Sequence, residues 1–508
     1  MGNMLLRTTP KQTSRLRQIV VISVLCLALY CLLLVPDQSL DSSRSTTFDT
    51  FPKTSSPKPV SQQAKGKSSL AALSPELLNN RFLTEAQCRA SFPGLLKEID
   101  DVVAKGPFTL ERKSEGLGPL IARIRHGKLS ILSAGRKTEL SADMLAHRSA
   151  TLHQLANALL TWPSSSADPV PDTILAFNHH DDPLPSTLSY SRPADPALND
   201  KSTKHYFAIP HFSFYAWSLP FIGSMSRAAA VISALEVRTR SFHDKIPRAV
   251  WRGTAWFNSP RAGRMRQNLV HATAQKPWAD AEALDWVTTP SGRNATNALP
   301  IEDFCAYKYI IHTEGVTYSG RFQFHTLCAS VVVTPPVAWM QHVTHLLRPV
   351  FSYTLDDDDD QAAAVRGSGG GKKKGKGKGK GKGVERKMVD LGPGDKNYFA
   401  QYPAPWVKEA WPREWDAAEA NIVFVAPDWS DLESTIMWLE RHPETAEGIA
   451  RRQRELFHGG GYFSPAAEMC YWRELIRGWS EVVRADGQGF DDLEGMTWEE
   501  FSLKEIHK

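Results

Sequence analysis

Short apolar runs alternate with helical patterns along much of the chain. The runs that have the length and composition of buried strands are residues 172–178, 249–252, 307–312, 330–334 and 421–426. Residues 321–329 predict a helix between the third and fourth runs. A second helix, capped by Ser430 or Asp431, follows the fifth run and ends before Pro443, and a basic helix continues to Phe457. Strands that alternate with helices predict an α/β fold with a parallel sheet.

Residues 84–103 carry a helical pattern nearer the N-terminus. Their apolar positions recur with the spacing of one helix face, at Phe92, Leu95, Leu96, Ile99, Val102 and Val103. The stretch before them, residues 36–72, is rich in Ser, Thr, Pro and Lys, which predicts a disordered stem. Ordered structure is therefore expected from about residue 73 onwards.

An uncharged apolar run occupies residues 19–35. As a helix it would span roughly 25 Å, which is short for a bilayer but suits a thin secretory-pathway membrane. Basic residues precede the run, and Asp37 and Asp41 follow it. The positive-inside rule then leaves the N-terminus in the cytosol and the rest in the lumen. A cleaved signal peptide is the alternative, but no evident cleavage site follows Val35, which favours an anchor.

A low-complexity segment interrupts the second half of the chain at residues 356–383. Five aspartates are followed by alternating Gly and Lys, a composition that cannot form a packed core. It predicts a disordered surface insertion, placed at 356–395. The aspartate run imitates a DxD metal motif, but a disordered homopolymer offers no fixed coordination geometry. A lysine tether to anionic polymers is a further hypothesis, although the net charge of +5 does not indicate a nucleic-acid partner.

Four of the six cysteines lie outside the apolar N-terminal run, namely Cys88, Cys305, Cys328 and Cys470. An even number in an oxidising compartment predicts two disulfides, and four cysteines allow three pairings. The sequon at Asn294 is compatible with glycosylation in that compartment. Buried free thiols remain the alternative.

Two arginine-bearing loops are candidates for binding a phosphate group. The first is Arg252-Gly253-Thr254 at a predicted strand end, with Arg261, Arg264 and Arg266 downstream; the second is the glycine-bounded loop 315–320, followed by Arg321. Arginines donate in pairs to phosphate oxygens, and backbone N–H groups at a helix start also favour an anion. Such cations would stabilise the charge of a departing nucleoside diphosphate.

The strand at 172–178 ends in the polar cluster Asn178-His179-His180-Asp181-Asp182. A carboxylate at this position could accept the proton of an attacking hydroxyl. Metal ligation is an alternative, but adjacent residues on an extended backbone point to opposite sides and converge poorly on one ion. Solvated loop charges are the plainest interpretation that spacing alone permits.

Several longer segments together carry a resemblance to a known family. They are LTEAQCRASFPGLLKEID, IPHFSFYAW, IPRAVWRGTAWFNSPRAGRMRQNL, CAYKYIIHTEGVTYSGRFQFHTLCASVVV, YFAQYPAPWV and CYWRELIRGW, within residues 82–479. The chain thereby resembles the fungal capsule-associated-protein glycosyltransferases, which are related to Rumi-type protein O-glucosyltransferases. The resemblance implies two Rossmann-like lobes of the GT-B type, a UDP-sugar donor, a glycan or protein acceptor, and inversion without a cofactor or catalytic metal.

The same resemblance assigns roles to particular residues. Asp181 matches the catalytic base, although the adjoining Asp182 leaves open which aspartate acts. The matches to donor-binding positions are Arg252, Gly253, Thr254, Arg266, Ser319 and Arg321. The family pairing also implies disulfides Cys305–Cys328 and, by analogy, Cys88–Cys470.

These interpretations divide the chain into segments. They are a cytosolic tail at 1–18, an anchor at 19–35, a stem at 36–72, an acceptor-side lobe at 73–240, a donor-side lobe at 241–442 and C-terminal helices at 443–508. The final residues carry no KDEL-type signal, so retention by the anchor would favour the Golgi, with the lobes in the lumen. The alternative function is a membrane-anchored carbohydrate-binding or chaperone-like protein whose site is inactive.

Overall fold

The computed structural model describes residues 73–112, 119–135, 140–163, 168–198, 204–259, 262–290, 292–355, 386–387 and 401–506, all within one compact unit. The predicted tail, anchor and stem lie outside these ranges, as does almost all of the Asp/Lys-rich insertion. Within the described ranges, no helix has both the length and the apolar character that crossing a membrane requires.

The described residues form short strands distributed along the whole unit. They are β1 (Phe108–Thr109), β2 (Leu120–Arg125), β3 (Lys128–Ser133), β4 (Thr173–Phe177), β5 (Thr187–Ser189), β6 (Arg192–Pro193), β7 (Tyr206–Ala208), β8 (Ile246–Gly253), β9 (Ala279–Ala283), β10 (Trp286–Thr289), β11 (Gly292–Ala295), β12 (Tyr307–Ile311), β13 (Val331–Thr334), β14 (Trp339–Met340), β15 (Pro349–Phe351), β16 (Arg386–Lys387), β17 (Gln401–Tyr402), β18 (Ile422–Phe424), β19 (Val483–Arg484) and β20 (Met496–Thr497).

The α-helices lie between and after these strands. They are α1 (Pro75–Asn79), α2 (Glu85–Ser91), α3 (Lys97–Val103), α4 (Ala142–Leu160), α5 (Met225–Thr239), α6 (Met265–Thr273), α7 (Phe322–His325), α8 (Pro405–Ala410), α9 (Leu432–Arg441), α10 (Pro443–Arg454), α11 (Pro465–Val482) and α12 (Trp498–Ile506). Five predicted strands and the helix before Pro443 are therefore present.

The larger parallel sheet has the strand order β15-β18-β13-β12-β8-β9, and every neighbouring pair in it is parallel. Its central strand β13 is the apolar run that the sequence predicted, and Val331, Val332 and Val333 are fully buried. Parallel strands covered on both faces require such continuous apolar runs. The α/β prediction is confirmed for this half of the unit.

The second sheet has the order β20-β3-β2-β4-β5-β7. In this sheet β4 pairs with β5, and β5 with β7, in parallel. The strands β2 and β3 form an antiparallel hairpin, and β2 is also antiparallel to β4. The prediction of alternating strands and helices missed this hairpin. The edge strand β20 comes from the C-terminal segment that was expected to be helical only, so that segment completes the second sheet.

The helix α11 fastens the C-terminal segment to the second sheet. Ser464 caps it through a hydrogen bond from the Ala467 amide (3.2 Å), and Pro465 occupies its first turn, where a missing N–H costs nothing. The indole of Trp479 donates to the carbonyl of Ile174 in β4 (2.8 Å), and the Tyr471 hydroxyl donates to Ala208 in β7 (2.7 Å). Burying aromatic side chains of this size contributes about 1.5–3 kcal/mol each.

Two predicted helices differ from those in the structure. The pattern at 84–103 is split into α2 and α3, because Pro93 and Gly94 form a turn in which Gly94 has φ of 82°. The apolar residues of this pattern are nevertheless buried as expected, with Phe92 and Leu95 each 1% exposed. The helix expected at 321–329 is also wrong in length, because only the four residues of α7 are α-helical.

Candidate functional site

The candidate site is a cavity of about 210 Å³ where loops from both six-stranded sheets meet. Asp181 reaches it from the loop after β4, and Gly253 ends β8 at its wall. Ser319 and Arg321 reach it from the loop after β12. These loops follow the carboxyl ends of strands, where ligands of open α/β sheets generally bind.

Six of the seven predicted chemical residues line this one cavity. They are Asp181, Gly253, Thr254, Arg266, Ser319 and Arg321. The two loops identified from sequence as phosphate-binding candidates are therefore neighbours in space, and the carboxylate faces the same volume. Arg264 is exposed and Arg261 lies outside the described residues.

Arg252 is the predicted residue whose side chain the structure does not bring to the cavity. Its guanidinium pairs with the carboxylate of Asp280 in the neighbouring strand β9 at 2.7 Å. Further hydrogen bonds go to the carbonyls of Asp280 (2.8 Å) and Asn297 (3.2 Å). Tyr307 also donates to the Asp280 carboxylate (2.6 Å), so Arg252 belongs to a structural cluster behind the cavity wall.

Arg266 places a buried positive charge at the cavity. Its guanidinium donates to the backbone carbonyls of Thr254 (3.0 Å), Glu314 (2.9 Å) and Thr313 (3.4 Å). The carboxylate of Glu314 is held by the amides of Ala338 and Trp339 (3.0 and 2.9 Å). Burial lowers the pKa of Arg266 to about 9, the nearby Arg321 lowers it further and the Glu314 carboxylate raises it, and the side chain stays protonated at neutral pH.

Arg321 supplies the second charge. Its guanidinium donates to the backbone carbonyl of Arg252, which joins the two predicted arginine loops. Burial lowers the pKa of Arg321 to about 10, so it too is a cation at neutral pH. Among the described residues, neither Arg321 nor Arg266 forms an ion pair with a carboxylate. Two buried cations without such partners favour a multiply charged anion in the cavity.

Asp181 is held at the cavity by a polar turn that Asn178 organises. The fully buried Asn178 side chain donates to the carbonyl of Asp182 (2.7 Å) and to Ser189 Oγ (3.2 Å), and it accepts from the amide of His180 (3.2 Å). Asp181 lines the cavity whereas Asp182 does not. The geometry therefore favours Asp181 over Asp182 as the group that meets a ligand.

The electrostatic setting of Asp181 favours proton acceptance. Its side chain reaches solvent in the cavity, yet the protein around it excludes enough water to raise its pKa. The neighbouring charge of Asp182 raises the pKa further, and His180 lowers it. A carboxylate whose pKa is raised in this way is a stronger base once it is ionised.

His179, the buried histidine of the cluster, carries no positive charge at this point. Burial is the main reason that the pKa of His179 falls to about 3, with further lowering by His180 and Arg148. His179 is 2% exposed and neutral at physiological pH. Its ring packs beside that of His180, with a centroid separation of 4.5 Å. The two packed rings support the turn that carries Asp181.

Gly320 allows the second arginine loop to approach His211, which follows β7 of the second sheet, closely. A Cβ at this position would lie 2.3 Å from Nε2 of His211, a buried ring that also lines the cavity. His211 is fixed in turn, because its Nδ1 accepts from the amide of Ser213 (3.2 Å). A side chain at 320 would therefore displace the backbone between Ser319 and Arg321.

Aromatic residues form a wall of the cavity that the sequence did not predict. The members are Phe212, Trp217, Phe221, Phe257 and Trp286. The Trp286 indole donates to Thr254 Oγ1 (2.9 Å), and the guanidinium of Arg293 lies 4.4 Å from the Trp286 ring. Arg293 also pairs with Asp143 of α4 at 3.2 Å, and both residues line the cavity. The segments IPHFSFYAW and AWFN were visible in the sequence, but their common wall required the fold.

The described residues contain one group of three potential metal ligands, Glu236 with Cys305 and Cys328. Both cysteines are consumed in a disulfide, so they offer no thiolate to an ion. The second disulfide joins Cys88 to Cys470, with Cα atoms 5.6 Å apart. Both pairings implied by the resemblance are present in the structure. The bond to Cys470 joins α2 to α11, which lie near opposite ends of the sequence of the folded unit.

Comparisons with known proteins bear on the same region. The sequence profile of Glycosyl transferase family 90 matches residues 147–366. An O-glucosyltransferase rumi homolog of Aedes aegypti is 31% identical over 105 residues, which cover 20% of this chain and 26% of that protein. Protein O-glucosyltransferase 1 of Homo sapiens is 25% identical over 197 residues, covering 36% of this chain and 48% of its own length, and the Bos taurus protein is similar at 25% over 201 residues.

The chain thus spans about half or less of the length of these curated relatives. The matched region nevertheless contains Asp181 and every predicted donor-binding residue. The resemblance inferred from sequence is confirmed: residues 147–366 match the profile of glycosyl transferase family 90, the family that includes capsule-associated proteins and Rumi-like O-glucosyltransferases.

Proposed function

We propose that this protein transfers a sugar from a UDP-sugar to a hydroxyl group of a glycan or protein acceptor. The observation that carries the proposal is the convergence of Asp181 with Arg266 and Arg321 on one cavity, from loops far apart in the chain. A carboxylate opposite two cations is what such a transfer requires, because a proton must leave the acceptor while negative charge develops on the leaving diphosphate.

In the proposed reaction Asp181 accepts the proton of the acceptor hydroxyl as that oxygen bonds to the anomeric carbon. The bond from this carbon to the diphosphate oxygen breaks in the same step, and its electron pair leaves with UDP. Arg266 and Arg321 stabilise the charge on the departing diphosphate. A single displacement of this kind inverts the anomeric configuration, and one carboxylate suffices because the diphosphate leaves as an anion that the two arginines stabilise.

A two-lobed GT-B arrangement is part of the proposal. Its support is the presence of two six-stranded sheets, each of which contributes loops to the cavity. The sheet with β4 and β7 would serve the acceptor, and the parallel sheet with β8 and β12 would hold the donor. The position of both arginines beside the parallel sheet supports this division.

We propose that the transfer proceeds without a cofactor or catalytic metal. The support is the pair of buried guanidiniums, which supply the positive charge that a divalent cation supplies to the diphosphate elsewhere. Transfer should therefore persist in excess EDTA. Restoration of a lost activity by Mn²⁺ or Mg²⁺ would contradict this part of the proposal.

We further propose that the folded unit works in the lumen of the secretory pathway, in the Golgi, held by an N-terminal membrane anchor. The two disulfides support this location, because disulfides persist in oxidising compartments. Fractionation with protease protection tests it. Cleavage of the unit in sealed vesicles without detergent would contradict a lumenal orientation.

The decisive experiment is a donor screen with the purified full-length protein. Each of several UDP-sugars is supplied with glycan and protein acceptors, and UDP release and product configuration are measured. We expect one donor to be used with inversion. UDP binding without transfer to any acceptor would instead support an inactive carbohydrate-binding protein, and retention of configuration would contradict the single displacement.

A further inference from the structure

Two large aromatic side chains project into solvent beside the candidate site. Trp256 is 63% exposed and Phe257 is 41% exposed, although tryptophan and phenylalanine are usually much more buried. Their ring centroids lie 6.4 Å apart with planes at 83°, so they form an angled apolar surface. Leaving this much apolar area in water is unfavourable unless something covers it.

The turn that carries these rings is held in place by hydrogen bonds. The Phe257 amide donates to the carbonyl of Thr254 (3.2 Å), and the Asn258 amide donates to that of Trp256 (3.1 Å). The Asn258 side chain donates to the carbonyl of Ala255 (2.8 Å) and accepts from the amide of Arg266 (2.8 Å). The rings are therefore presented outward on a fixed backbone rather than on a loose loop.

The exposed pair is continuous with the cavity. Phe257 lines the cavity itself, and Thr254, at the start of the turn, is bonded to both Trp286 and Arg266. A molecule that reaches Asp181 from solvent can thus extend along these rings. The turn that holds Arg266 through Thr254 and Asn258 therefore also holds Trp256 and Phe257 at the edge of the cavity.

We propose that Trp256 and Phe257 form a stacking platform for a carbohydrate acceptor, in an inference that rests on the proposed glycosyltransferase function. The C–H groups on one face of a sugar ring are weakly positive, and the face of an aromatic ring is negative, so the two pack together. Two rings that stand at an angle beside the cavity match the faces of consecutive sugar residues. The acceptor that we propose is an oligosaccharide whose sugars continue outward past the residue that attacks.

The test measures oligosaccharide binding to the full-length protein saturated with UDP. Short linear mannose, glucose and xylose oligosaccharides are titrated by calorimetry against wild type, Trp256→Ala and Trp256→Phe. We expect wild type to bind one class, Trp256→Ala to bind it roughly tenfold more weakly, and Trp256→Phe to recover most of the loss. The matched control is Phe82→Ala, which removes a ring that is 61% exposed but does not line the cavity.

UDP affinity and melting temperature, measured on the same samples, should be equal in all variants. Equal oligosaccharide affinity of Trp256→Ala and wild type would overturn the platform. So would a wild-type protein that binds UDP and transfers sugar to a folded protein but binds no oligosaccharide. Failure of the wild type to bind UDP at all would instead overturn the proposed function on which the platform rests.

Discussion

The side-chain hydroxyl of Thr317 donates a hydrogen bond of 2.9 Å to the backbone carbonyl of Asp181. This bond joins the loop after β12 in one sheet to the loop after β4 in the other. Thr317 is 1% exposed, so the bond is shielded from competing water. It fixes the distance between the carboxylate and the loop that carries Arg321.

Replacement of Thr317 by Val keeps the shape of the side chain and removes this bond. We expect kcat to fall roughly fivefold to tenfold, because the partly buried Asp181 carbonyl loses a hydrogen bond worth about 1 kcal/mol and the Asp181 turn can shift to find another donor. The dissociation constant of UDP should change little, since both cations remain. Steady-state kinetics and calorimetry check this, and Thr317→Ser should recover most of kcat. An unchanged kcat in Thr317→Val would show that the bond does not position Asp181.

The raised pKa of Asp181 predicts the acidic side of the pH–rate profile. Activity should fall as the pH drops through this pKa, because the base becomes protonated. Asp182 raises the pKa of Asp181 and His180 lowers it. Asp182→Asn should therefore move the acidic limb to lower pH, and His180→Gln should move it to higher pH. Shifts in the same direction for both variants would contradict the assignment of this limb to Asp181.

The same pKa has a consequence for stability, with the opposite sign to that of an ordinary salt-bridged aspartate. A folded-state pKa above the unfolded value means that folding disfavours the ionised form, so the carboxylate destabilises the fold at neutral pH. The penalty begins to shrink as the pH falls below the raised pKa, and it is gone below the pKa of the unfolded chain. Asp181→Asn should therefore melt at a slightly higher temperature than wild type at neutral pH, and the difference should shrink in acid. A lower melting temperature would contradict this linkage.

Arg321 and Arg252 should respond differently to replacement by lysine. Lysine at 321 loses the planar fork that binds phosphate oxygens, so the dissociation constant of UDP should rise about tenfold or more. Lysine at 252 disturbs the pairing with Asp280 behind the wall, so the melting temperature should fall by a few degrees while UDP affinity changes less. Calorimetry and thermal unfolding separate the two. An equal loss of UDP affinity in both variants would return Arg252 to a direct role.

Alanine at Gly320 should disrupt the second arginine loop. The added Cβ would lie 2.3 Å from Nε2 of the fixed His211 ring, so the backbone that holds Arg321 must move. We expect a loss of UDP affinity and activity of at least about tenfold. Gly459→Ala is the matched control, because a Cβ there meets nothing within 4 Å. Comparable losses in both variants would mean that a general effect of alanine, and not the contact with His211, is responsible.

The sequence predicted the parts of the fold and site that depend on local order. Asp181 and Arg321 lie beyond the apolar runs of β4 and β12, and such runs can be recognised in a sequence because buried strands need apolar residues. The fate of Arg252 was not predictable, because its partner Asp280 lies in a different strand whose register only the folded sheet defines. The pattern at 84–103 likewise predicted which apolar residues are buried, but it predicted one helix where the structure has two. The apolar residues keep their helical spacing across the turn at Pro93, so the break does not show in the pattern.

The cavity wall was the least predictable feature. Trp217 and Trp286 come from segments that are distant in sequence, and each alone is an ordinary apolar residue. Their common surface arises only when the two sheets are placed side by side. Site chemistry carried by short motifs can therefore be inferred from a sequence, whereas a pocket shaped by distant side chains cannot.

The most direct test of the account compares Asp181→Asn with the matched variant Asp182→Asn in the full-length protein. Transfer from the preferred UDP-sugar and UDP affinity are measured at neutral pH. We predict that Asp181→Asn loses at least about a hundredfold in kcat with UDP affinity unchanged, while Asp182→Asn keeps most of its activity. Retained turnover in Asp181→Asn, or a greater loss in Asp182→Asn, would contradict it.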